Sequence, residues 1–149
     1  MKPFLDAGFL LALIMEMKGS RLAWQLTRPL ASPLYAGHFQ WFYIENRLLR
    51  ETQDPDAPEA GRATATGALQ NLRRYLDELI IELVPLEYDL AIHLAAQWQR
   101  QSAGAIPPAL LLLWPAMAAT VGATHFLSFD PRPRKFAKAA GLKVLPENL

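Results

Sequence analysis

Thr124-His125-Phe126-Leu127-Ser128-Phe129-Asp130-Pro131-Arg132 is the stretch that decides the fold. A short apolar run ends on one carboxylate, and Pro131, Arg132, Arg134 and Lys135 follow at once. The N-terminus repeats this order, with Lys2-Pro3-Phe4-Leu5 leading into Asp6 and then an apolar, helix-like segment. Two buried strands that each release an aspartate at the carboxyl end point to an open parallel sheet. In such sheets ligands bind beyond the carboxyl ends of the strands, where the strand order changes direction.

Composition bounds what surrounds these strands. The chain of 149 residues is long enough for one domain with a substantial core, expected to span 1–149. Hydrophobic residues make up 52% and charged residues 19%, the balance of a folded domain and not of a disordered one. A formal net charge of +1 argues against a strongly basic nucleic-acid-binding surface but leaves room for a local patch. The absence of cysteine excludes disulfide frameworks and thiolate metal sites and fits a cytoplasmic protein. Phe9–Met15 lacks the flanks of a signal peptide, and Leu110–Val121 is too short for a bilayer and contains Pro115, so no membrane segment is expected.

Outward from the two aspartates, apolar runs and helical periodicity alternate. Phe9–Met17 is apolar almost all round, as in a helix covered on two sides, and Ser20 is placed to cap a helix over Arg21–Arg28. Leu34–Gly37 reads as a second strand and His38–Glu51 as a helix with Phe39, Phe42, Leu48 and Leu49 on its inner face. Thr52–Gly67 has almost no large apolar side chain and reads as a flexible loop. Leu69, Leu72, Leu76, Leu79, Ile80 and Leu83 have the spacing of an amphipathic helix over Ala68–Glu82. Val84-Pro85-Leu86 follows as a strand near a sheet edge. Helices over Leu90–Gln101 and Ala109–Val121, a strand at His125–Phe129, a helix at Arg132–Ala140 and a strand at Lys143–Leu145 complete an α/β alternation.

Phe4-Leu5-Asp6, Ile44-Glu45-Asn46 and Gly122–Arg132, followed by Lys135-Phe136-Ala137-Lys138-Ala139-Ala140-Gly141-Leu142-Lys143-Val144, resemble the PIN-domain family. The branch they are most similar to is VapC-like, the toxin nucleases of toxin–antitoxin pairs. The resemblance implies a three-layer α/β/α sandwich around a mainly parallel sheet of about five strands. It also implies Mg²⁺- or Mn²⁺-dependent cleavage of RNA by an acidic cluster of Asp6, Glu45 and Asp130, with Asn46, Arg132 and Arg134 at the substrate. Hard divalent ions take carboxylate oxygens, and a bound ion activates water and stabilises charge on a phosphodiester. An antitoxin protein and a homodimer are the partners it implies.

Four positions depart from the family pattern. An acid expected before the fourth strand falls on Leu111, with Trp114 where a histidine is usual, and Pro107–Thr120 contains no Asp or Glu. Ala7 stands where a hydroxyl usually follows the first aspartate, and Pro133 where glutamine is common. Two readings follow: a ribonuclease with a trimmed site, or a degenerate PIN domain that binds RNA or protein without cleaving. His38, His93 and His125 lack zinc-ligand spacing, and neither a Gly-x-Ser-x-Gly elbow nor a Gly-rich phosphate loop is present.

Overall fold

A computed structural model describes residues 1–30 and 32–148. Five parallel strands, β1 (Pro3–Leu5), β2 (Leu34–Gly37), β3 (Ile81–Val84), β4 (His125–Leu127) and β5 (Lys143–Leu145), lie in the order β3-β2-β1-β4-β5. The chain therefore runs outward one way through β1, β2 and β3 and the other way through β4 and β5. The switch point lies between β1 and β4, where Leu5 is in register with Leu127.

Seven helices cover the sheet among the described residues: α1 (Ala7–Ile14), α2 (Ser20–Thr27), α3 (His38–Gln53), α4 (Glu59–Asp77), α5 (Tyr88–Gln101), α6 (Ala109–Thr120) and α7 (Pro131–Ala139). Helices α1 to α4 touch one another in one group, and α5, α6 and α7 in a second, giving an α/β/α sandwich. Phe4, Leu5, Phe126 and Leu127 are wholly buried, as central parallel strands covered on both faces require. Every residue of α1 except Gly8 is buried, which accounts for a helix with no polar face. None of the helices is long and apolar enough to cross a membrane, among the described residues.

Three expectations are corrected. Thr52–Gly67 is not a loop: α3 runs to Gln53, a short turn follows, and α4 begins at Glu59. Its first half is built from small residues, of which Ala65 and Ala68 are buried, so it lies close to α3 without large apolar side chains. Alanine favours helix, and the Thr64 and Thr66 hydroxyls donate back to the carbonyls of Ala60 and Arg62. The Ala68–Glu82 helix ends at Asp77, because Leu79 takes a left-handed φ of 55° and turns the chain into a strand. That strand is Ile81–Val84, paired with Leu34–Gly37 at a sheet edge, and not Val84-Pro85-Leu86.

The inner face of α3 also differs. It carries Gln40, Ile44 and Leu48, whereas Phe42 is 56% exposed and Leu49 37%. At α2, Gly19 rather than Ser20 is the cap residue, and the Ser20 hydroxyl donates to the Met15 carbonyl.

Candidate functional site

Each central strand ends in the same way. The chain leaves β1 at Asp6, whose N–H donates to the Leu127 carbonyl at 3.0 Å, so the first aspartate is fastened to the neighbouring strand. Its side chain caps α1, Oδ1 accepting from the Phe9 N–H at 2.6 Å. Beyond β4, Asp130 caps α7, accepting from the Arg132 N–H at 2.9 Å, with Pro131 at the first helical position.

Their surroundings set the two apart. Asp6 is 4% exposed, and removal from water pushes its pKa from 3.8 up to about 6. The negative charge of Asp130 adds to the rise, while the Ser128 hydroxyl and the Phe9 N–H oppose it. Asp130 moves the other way: the hydrogen bond from Arg132 holds its pKa below the usual carboxylate range. Arg132 Nε lies 3.0 Å from Oδ1 and 3.2 Å from Oδ2, and one terminal guanidinium nitrogen lies 2.6 Å from Oδ2.

Ser128 connects the pair. Its hydroxyl accepts from the Asp130 N–H at 3.1 Å and donates to the Asp130 carbonyl at 3.3 Å, and its nearness to Asp6 favours the ionised form of that acid. Behind it the buried Arg134 guanidinium donates to the Ser128 carbonyl at 2.8 Å and to that of Pro146. The expectation that Arg134 holds substrate is thus corrected. Pro133, Arg134, Phe136 and Ala137 form the inward face of α7, which spends the guanidinium on the chain's own carbonyls.

Asp6 and Asp130 open into one cleft of about 470 Å³. Ala12, Met17 and Phe129 supply an apolar wall, and Lys18 and Arg132 bring positive charge. Phe129 stacks on Phe9 with ring centroids 4.7 Å apart, and Gly19, at φ 99°, leaves room for the ring where a Cβ would come within 3.3 Å of it. A larger cleft of about 910 Å³ lies between Arg47, Arg50, Asp54 and Pro58, away from the strand ends, and its mixed charges are those of a solvated surface.

Glu45 does not join the aspartates. It is half-exposed on α3, outside the lining of their cleft, and no group of three or more His, Cys, Asp or Glu among the described residues is placed to hold a metal ion. Asn46 beside it is exposed. The residue of α3 tied to the strand ends is Gln40, fully buried in the first turn, whose amide donates to the Leu5 carbonyl and accepts from the Gly37 N–H at 2.6 Å. Leu111 is half-buried, and Trp114 is buried against Phe39 and Tyr43, so α6 contributes an apolar surface there. Ser128 and Gln40 escaped the sequence reading. A buried hydroxyl two residues before a strand-end aspartate was the available signal for Ser128, whereas Gln40 gave none.

No family model matches the sequence, and no curated protein matches it. Among solved structures, the crystal structure of VapBC2 from Rickettsia felis bound to a DNA fragment from their promoter contains a similar chain. The TM-score is 0.63 at 11% sequence identity, with 97% of each chain covered. The fold is PIN-like. At that identity the likeness carries the architecture, and the chemistry rests on the residues themselves.

Proposed function

We propose that this PIN-like chain is a metal-dependent endoribonuclease of the VapC kind whose working acids are Asp6 and Asp130. The observation that carries this reading is their convergence in one cleft at the β1/β4 switch point, beside Lys18 and Arg132. The donor set fits Mg²⁺ or Mn²⁺ in one mode only. Mg²⁺ is commonly held by one or two carboxylates completed by water and substrate phosphate, and two hard oxygen donors are what this cleft offers. A cation held there would also offset the repulsion from Asp130 that helps raise the Asp6 pKa.

When bound, the ion would supply an activated water and offset charge developing on the phosphodiester. The chain's own groups do the rest. Asp6 and Asp130 would hold the ion, Ser128 is bonded to the Asp130 backbone, and Lys18 and Arg132 attract the RNA backbone. The apolar wall of Met17 and Phe129 keeps water from one side. Glu45 is left out of the pair. An antitoxin that covers the cleft and a homodimeric assembly belong to the same proposal.

A second reading, an RNA-binding module without cleavage, is favoured by Leu111 and Trp114, which leave α6 with no acid to complete the site. Incubation of the purified protein with structured RNA and Mn²⁺ separates the two. Cleavage that disappears in Asp6→Asn and in Asp130→Asn and persists in Glu45→Gln is the expected result. Cleavage surviving Asp6→Asn contradicts the assignment, and RNA bound but left intact favours the second reading.

A further inference from the structure

We infer that Arg132 is a cation switch at this site, paired with Asp130 while the cleft is free and transferred to a backbone phosphate when RNA arrives, so that RNA and the divalent ion bind cooperatively. The inference rests on the ribonuclease reading above and adds a regulation to it. Asp130 is the more accessible acid of the pair, yet both of its oxygens face the Arg132 guanidinium, at 3.0 and 2.6 Å. A second cation cannot take the same lone pairs until that one leaves.

Leaving is inexpensive for this side chain. The Arg132 side chain is 57% exposed, and its ion pair with Asp130 is its only one among the described residues. With the guanidinium open to water and the carboxylate partly so, the pair can be exchanged for another oxyanion. The planar fork that fits a carboxylate also fits a phosphate. Helix α7 need not move, because the cap is made by the Arg132 backbone N–H and survives when the side chain swings away. Arg134 cannot take this role, being buried and bound to two carbonyls. A phosphate that draws Arg132 away uncovers Asp130 for the ion, and linkage requires the ion to favour phosphate binding by the same factor.

Free Mn²⁺ measured by electron paramagnetic resonance tests this without reference to activity. The titrations use wild type, Arg132→Met and Lys135→Met, each with and without a short oligo-deoxythymidine, corrected for Mn²⁺ held by the oligonucleotide alone. Arg132→Met is expected to bind Mn²⁺ roughly two- to fivefold more tightly than wild type without the oligonucleotide. The oligonucleotide should tighten Mn²⁺ binding in wild type and lose that effect in Arg132→Met. Lys135→Met makes the same change in net charge on the same helix and should behave as wild type. Equal Mn²⁺ affinity in Arg132→Met and wild type overturns the switch and leaves the ribonuclease reading standing, as does an equal gain in Lys135→Met. Silence of every protein at millimolar Mn²⁺, with or without the oligonucleotide, removes the cofactor from the ribonuclease reading and the switch with it.

Discussion

The β1–α1 and β4–α7 junctions have one design and two outcomes. In each, a strand that ends on buried apolar residues leads to an aspartate that caps the next helix. Asp6 is buried at the start of α1, in a cleft walled by the Phe129 ring that stacks on Phe9, and its acidity weakens to a pKa of about 6. Asp130 lies at the rim with a guanidinium across it, and its acidity strengthens. The shared role of helix cap therefore does not fix the state of the carboxyl group; its surroundings do. At neutral pH the rim acid is ionised and already paired, while the buried acid lies much closer to its titration point.

The strongest way to break this contrast is to remove the cover. Phe9→Ala deletes a fully buried ring that supports Phe129, and a loss of about 3–5 kcal/mol in urea unfolding is expected. Water reaching Asp6 should also bring its pKa back toward 3.8.

Asp6→Asn sharpens the contrast through pH. The folded protein holds this proton more tightly than the unfolded chain, so the associated stability is complete below pH 3.8 and is lost as pH rises through about 6. A rise of that size corresponds to on the order of 3 kcal/mol. Asparagine caps as well as aspartate. Asp6→Asn should therefore be more stable than wild type at pH 8, by up to about 3 kcal/mol, and should gain nothing at pH 4. Denaturant midpoints at the two pH values check it.

Asp130→Asn should show the smallest effect, with the opposite sign. Its folded pKa lies below the ordinary value, so its contribution is present above that ordinary value and fades as pH falls through the folded one. The guanidinium is exposed, the carboxylate is partly so and the cap is kept, so the loss at pH 7 should stay near about 1 kcal/mol and vanish in strong acid. A gain at pH 8 like that of Asp6→Asn would erase the difference between the junctions.

Much of this was legible in the sequence because strand ends write themselves plainly. Apolar runs stopping at Asp6 and at Asp130-Pro131 mark both junctions, and Leu34–Gly37 and Lys143–Leu145 were read with their observed bounds. Helix α4 was missed in its first half because alanines, glycines and threonines carry no apolar periodicity, although they are what close contact with α3 requires. Leu79 to Leu83 continue a helical spacing, and only the positive φ at Leu79 converts it into a strand.

The site was half legible for a related reason. Periodicity places a residue on a face of a helix but does not say which turn of the helix meets the strand ends. Because α3 begins directly beyond Gly37, the turn that meets them is the one with Gln40, and Glu45 lies farther along. Likewise Arg132, Arg134 and Lys135 are equivalent cations on paper. The rotation of α7 sends Arg134 inward to the Ser128 and Pro146 carbonyls and leaves Arg132 at the cleft.

The central claim, that Asp6 and Asp130 form one coupled site, has a direct test in the titration of the Asp6 side-chain carboxyl carbon by NMR. In wild type it should titrate near pH 6, and in Asp130→Asn the midpoint should fall, because one source of the rise is the charge of Asp130. A wild-type midpoint near 3.8, or one indifferent to Asp130→Asn, would contradict the account.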